Sequence, residues 1–160
     1  MKYSKTLRWA DRIQSQSGDW SANVFDFFFR VFSKATRDFP KPFKLEGINR
    51  VDDTPLHQAF REALANCFTN ADFYLPRGLV IIKEPNRIIL QNPGSIRTGL
   101  SQMIKGGVSD PRNKGIVKMW NLLKIGERAG SGVPDIYATW RNSGPESRFS
   151  ADHTISARQF

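Results

Sequence analysis

Cysteine occurs once in this chain, at Cys67, and histidine twice, at His57 and His153. A single thiol excludes an internal disulfide framework and any zinc site built on a cysteine cluster, and it suits a reducing compartment. Two imidazoles are too few for an ordinary His-based metal centre. Long apolar runs are also missing. Leu7-Arg8-Trp9-Ala10-Asp11 breaks the place where a signal peptide needs its greasy stretch. Val24-Phe25-Asp26-Phe27-Phe28-Phe29-Arg30-Val31-Phe32 carries two charges and falls short of a bilayer span. The expectation is a cytoplasmic protein with no membrane partner. No Gly-Lys-Ser/Thr follows a glycine-rich loop, so a P-loop is excluded, and with it a helicase motor.

What is present suits one packed domain. The chain has 160 residues, 39% hydrophobic and 24% charged, with 12 Phe and 4 Trp. This is enough apolar material for a core and too much for wholesale disorder. The net charge of +9 and a pI near 10.1 favour polyanionic partners such as nucleic acid or nucleotide phosphates. The excess sits at the two ends: residues 1–50 carry +5, 51–110 are neutral and 111–160 carry +4.

Local signals predict the elements. A helix from Ser21 to Thr36 has Ser21 as its cap and the Phe-rich stretch as its buried side, and Pro40 and Pro42 end it. Residues Phe43 to Asn49 alternate weakly, as a strand would. Thr54-Pro55 reads as an N-cap followed by proline at the first helical position, opening a helix to Thr69. Arg77–Lys83 and Arg87–Asn92 flank Glu84-Pro85-Asn86 and make a β-hairpin. A Gly- and Pro-bearing loop at 106–113 leads into a helix from Lys114 to Leu123, and a last helix begins just after Gly132 and stops near Gly144. The expected organisation is an N-terminal extension at 1–20, a domain at 21–142 and a flexible or truncated polar tail at 143–160.

In the helix from Pro55, the residues Leu56, Ala59, Phe60, Ala63, Leu64, Cys67 and Phe68 form one apolar stripe. Glu62, Asn66 and Asn70 step by four along its border. By spacing such a row is first a solvated flank. It also places a carboxylate one turn before a carboxamide, where Asn66 can ligate Mg²⁺ by oxygen and Glu62 can polarise a water. Gly126-Glu127-Arg128-Ala129-Gly130-Ser131-Gly132-Val133-Pro134 opens the last helix. It is either a tight turn or an anion cradle made of backbone amides, and Glu127-Arg128 reads as an ion pair fixing it. Gln91-Asn92-Pro93-Gly94 is a turn at which backbone can close over a ligand. Arg112 and Lys114, beside Gly106 and Gly107, read either as a solvated loop or as a mobile basic lid over phosphates. His57, in the first turn of its helix, reads as an exposed neutral ring, Cys67 as a buried thiol, and Phe25, Phe28, Phe29 and Phe32 as core or interface.

Four stretches in order carry a family resemblance: Arg61-Glu62-Ala63-Leu64-Ala65-Asn66, Asn92-Pro93-Gly94, Gly106-Gly107-Val108-Ser109-Asp110-Pro111-Arg112-Asn113, and Glu127-Arg128-Ala129-Gly130-Ser131-Gly132-Val133-Pro134. Together they resemble the C-terminal domain of RecG-like transcriptional regulators whose N-terminal part is an AlbA-type Schlafen domain, a domain related to the GHKL (Bergerat-fold) ATPases. The similarity runs from about Trp9 to Trp140. It implies an α+β, two-layer sandwich in which a mixed β-sheet is backed by helices, with ATP and Mg²⁺ as cofactors. Carried over by position, the resemblance gives Glu62 the role of water-activating base and Asn66 that of Mg²⁺ ligand. Gly94 matches the first glycine box, with Asn92 in its Asn-Pro-Gly, and Gly130 and Gly132, with Ser131 between them, match the glycines beside the phosphates. Two departures stand out. Asn92 occupies the place where GHKL proteins read adenine with an Asp, and an amide is not a charged acceptor. Asn70-Ala71-Asp72-Phe73 replaces the His-Ala-Asp-Tyr common in related chains.

Two functions of different class follow. One is a nucleotide-binding regulatory domain of a DNA-associated protein, at most a weak Mg-dependent ATPase, with DNA contacted by a missing N-terminal domain or by the basic ends. The other is a degenerate scaffold of the same fold, serving in homodimerisation or nucleic-acid interaction. A winged-helix reader is disfavoured because Arg61 is the one cation on the helix from Pro55 to Thr69.

Overall fold

The computed structural model describes residues 11–15, 17–41, 45–46, 49–50, 53–85, 87–125, 132–142, 147–150 and 154–158, with backbone alone for the strands at 45–50 and beyond 146. Helix α1 spans Val24–Ala35 and is capped by Asn23, whose side chain accepts from the Asp26 amide at 2.8 Å. The expected cap, Ser21, instead donates to Asp26 Oδ2. Ala22 between them takes φ +55, which turns Ser21 away from the helix axis and leaves Asn23 as the last extended residue. The helix stops at Ala35, ahead of Pro40, where the Thr36 hydroxyl donates to Phe32 O.

Helix α2 is Pro55–Asn70, with Thr54 as N-cap and proline in its first turn as the sequence indicates. Every residue of the expected stripe is buried, and so are His57, Ala65 and Thr69. His57 therefore departs from the expected exposed ring. It is 5% exposed, its Nδ1 lies 2.7 Å from Thr54 Oγ1, and its ring meets Phe39 edge-on. The reason is that α2 is covered on more than one side. It packs against α1, against α4 (Lys114–Leu122) and against α5 (Gly132–Asn142). An aromatic cluster fills the space: Phe28 against Phe68 and Trp120, Phe32 on Phe60, and Phe39 between Phe60 and Trp140. Phe29, by contrast, is half exposed.

In place of one strand over Phe43–Asn49 there are two short antiparallel pieces, β1 (Leu45–Glu46) and β2 (Asn49–Arg50). The hairpin is present as β3 (Val80–Glu84) and β4 (Arg87–Gln91), with Glu84 opposite Arg87 and ion-paired to it. Ile88 and Leu90 alternate inward from β4 into the core, and α2 packs against that strand. The region expected as a polar tail supplies two more strands, β5 (Ser147–Ser150) and β6 (Thr154–Arg158). They form a second hairpin whose β6 lies beside β4, giving the order β3-β4-β6-β5. All described pairings are antiparallel, so the expected mixed sheet is not what these strands build. Two hairpins with short connections impose antiparallel neighbours. The α+β class stands, with helices packed on a sheet. A short helix, α3 (Leu100–Lys105), was not anticipated and has no buried residue. No helix among the described residues is long and apolar enough to cross a membrane.

Candidate functional site

The 3.6-residue period of α2 brings Glu62 and Asn66 to one flank, half-buried and in contact: Asn66 Nδ2 donates to Glu62 Oε1 at 3.2 Å. Burial raises the Glu62 pKa above the usual carboxylate value. The Asn66 bond opposes that rise, and the Asp135 carboxylate reinforces it. A carboxylate made more basic in this way is better suited to take a proton from water than a solvated one. Asn70 folds back onto its own helix, donating to Asn66 O at 2.9 Å. Among the described residues Asn66 Oδ1 has no hydrogen bond, which leaves one neutral oxygen facing away from Glu62.

Asp135 belongs to the first turn of α5, the helix that packs against α2. Trp140, later in α5, meets Phe39, which sits on His57 and Phe60 near the start of α2. Gly132 is the first residue of α5. Gly130 and Ser131, like Glu127 and Arg128, lie outside the described residues.

The other predicted residues meet at the C-terminal end of α2. Asn92 follows β4 directly, and Pro93 O accepts from the Asp72 amide at 2.8 Å. Gly94 has φ +101, and a Cβ there would come within 2.9 Å of Asp72 Cβ and 3.3 Å of Arg112 Nη2, so only glycine suits the position. Arg112 does not stand free over the site, as a lid would. It donates to Ser95 O and Asn70 O and pairs with Asp72 Oδ2 at 3.4 Å. Cys67 is buried beside Asn66, with its thiol pushed up to about 12 by burial, and so is poorly reactive.

Three groups of consequence escaped the sequence reading: Asp72, Asn113 and Asp135. Asp72 falls in a stretch where only the absent histidine stood out. Asn113 reads as the end of a loop, and no motif in the sequence marks Asp135. Among the described residues there is no group of three or more His, Cys, Asp or Glu able to hold a metal unaided. Asn66 Oδ1 and the Glu62 carboxylate are oxygen donors of the kind Mg²⁺ takes, an ion held through one or two carboxylates and otherwise by phosphate and water.

Helices packed on an antiparallel sheet, with an acid and an amide one turn apart along α2, define an α+β domain with a polar flank. Residues 80–156 match the family described as "Putative ATP-dependent DNA helicase recG C-terminal". The RecG-like, GHKL-type resemblance carried by the motifs is thereby borne out, and this part of the chain is related to an ATP-binding domain type. The match begins at β3, so Glu62 and Asn66 precede it. A crystal structure of the DIP2311 protein from Corynebacterium diphtheriae superposes with a TM-score of 0.58 at 16% identity, over 83% of this chain and 28% of that one. That likeness is one of fold, and this chain spans less than a third of the other's length. No curated protein matches.

Proposed function

We propose that this chain is a GHKL-like nucleotide-binding domain acting as a regulatory part of a DNA-associated protein. The observation that supports the reading is the Glu62–Asn66 pair on α2, the helix against which α5 packs, in a chain whose 80–156 segment matches the RecG C-terminal family. Asn66 Oδ1 would hold Mg²⁺. Glu62, made basic by burial, would orient and deprotonate a water. The amides opening α5 at Gly132, with Gly130 and Ser131 before them, would receive the phosphates. Asn92 and Gly94 would border the base. Mg²⁺ bound with a triphosphate neutralises charge on the phosphate oxygens. Titration calorimetry with Mg-ATP is the direct test. Saturable heat with ATP or ADP that Asn66→Ala abolishes supports the reading, and no heat with ATP, ADP or GTP at millimolar nucleotide removes it.

A second reading is favoured by the position of Arg112. Its guanidinium fills the space behind Gly94 and is held by Asp72, Asn70 and Ser95, while Asn92 lacks the charge that reads adenine. On this reading the domain is a degenerate scaffold for homodimerisation or for DNA contact through its basic ends. DNA binding that falls steeply with salt, together with no nucleotide heat, would select it.

A further inference from the structure

An α-helix leaves its last four carbonyls without intrahelical donors, and many helices meet the need locally, with a glycine just past the end. Helix α2 does not. Ala71 follows it in extended backbone, φ −63 and ψ 139, which rules out the usual left-handed cap. The donors come instead from 42 to 45 residues further along. The Asn113 side-chain amide shares its two N–H groups among Phe68 O, Thr69 O and Ala71 O at 3.1, 3.2 and 2.7 Å. The Asn113 backbone N–H also donates to Thr69 O at 2.8 Å, and Arg112 Nε reaches Asn70 O at 3.4 Å. Four consecutive carbonyls are thus taken by two consecutive residues.

Arg112 also reaches the exit of the β3–β4 hairpin. Arg112 Nη2 donates to Ser95 O at 3.2 Å and Nη1 faces Asp72, whose own amide donates to Pro93 O. A planar guanidinium with several donors can span helix end and turn together, which a single ammonium cannot. The close approach at Gly94, with Asp72 Cβ and Arg112 as its nearest neighbours, shows how little slack this junction has.

We infer that Arg112 and Asn113 are positioning residues for the nucleotide site: by holding the terminal carbonyls of α2 and Ser95 together, they fix the Asn92–Gly94 turn relative to Asn66. The inference rests on the nucleotide reading above for its ligand, but its geometric half can be tested without one.

Amide exchange followed by NMR on the full chain, free of nucleotide, reads the junction. Arg112→Ala and Asn113→Ala are each expected to speed exchange of the Asp72 amide at least tenfold, with α1 and the first turns of α2 unchanged. Mg-ATP affinity should fall at least tenfold in both variants. Arg112→Lys keeps a charge opposite Asp72 but not the span to Ser95 and Asn70. It should melt like the parent yet bind nucleotide as weakly as the alanine variant, a split that a merely stabilising role would not produce. It also serves if Asn113→Ala fails to fold. Unchanged Asp72 exchange, or parental affinity in Arg112→Lys, with the parent binding normally, overturns this inference alone. A parent that binds no nucleotide overturns the nucleotide reading and the ligand half of this one, while the exchange result still decides the junction.

Discussion

The two flanks of α2 are built by opposite rules. On one flank Phe60, Leu64, Cys67 and Phe68 are at most 2% exposed, and Phe60 and Phe68 meet the rings of α1 and Trp120. On the other, Glu62, Asn66 and Asn70 remain half-buried and bond chiefly to one another and to their own backbone. The first flank obtains its energy from area removed from water and close packing, so it tolerates little loss of volume. The second contributes little net stability, because each hydrogen bond replaces one to water. It keeps instead a carboxylate and an amide oxygen in fixed orientation. On the proposed nucleotide reading, stability and ligand chemistry separate on a single helix, and substitutions on its two sides should report different quantities.

The largest effect is expected on the aromatic flank. Phe68→Ala removes a ring with no exposed surface that touches Phe27, Phe28 and Trp120, and should cost about 3–5 kcal/mol in denaturant unfolding. Nucleotide affinity per folded molecule should not change. A folded Phe68→Ala protein that has lost binding would break the separation. Next comes Gly94→Ala, at the point where the polar end meets the hairpin. Its positive φ and the close Asp72 Cβ predict a loss of about 1–3 kcal/mol, read in the same unfolding measurement. Asn66→Ala should be milder, about 0.5–1.5 kcal/mol for one half-buried hydrogen bond. Yet it should lower Mg-ATP affinity more than tenfold by calorimetry. A large stability loss with unchanged affinity would make Asn66 a packing residue and erase the contrast.

Much of this was readable where the cause is local. Thr54-Pro55 fixes the start of α2, the stripe from Leu56 to Phe68 fixes its inner face, and Glu84-Pro85 before Arg87 fixes the hairpin, because capping, periodicity and turn chemistry act within a few residues. What escaped depends on distant partners. His57 is buried because helices other than α2 cover a second side of it, and no pattern around position 57 records that. Thr154–Arg158 looked like tail because its strand character comes from lying beside β4. The short α3 sits between Gly99 and Gly106, both with positive φ, and carries no buried stripe to announce it. At the site, Glu62 and Asn66 were visible as an i,i+4 pair. The roles of Arg112 and Asn113 were not, since a side chain bonding to carbonyls of another element leaves no periodic trace.

The smallest expected effect is also the most specific to the polar flank. Burial and the nearby Asp135 raise the folded-state pKa of Glu62 above its unfolded value. The native state therefore holds this proton more tightly. Its contribution to stability is fully present below the ordinary glutamate pKa and declines as pH rises from there through the raised folded value. Asp53, whose pKa is lowered beside Arg61, contributes in the opposite sense, losing stability as pH falls. The Glu62 contribution must accordingly be read as a difference between the parent and Glu62→Gln. That variant keeps the shape and an acceptor for Asn66 while removing the titration. Relative to the parent it should melt at a higher temperature at pH 7 than it does at pH 4. A difference in melting temperature independent of pH would mean that Glu62 titrates like a solvated side chain, and its basicity could then no longer support a role in activating water.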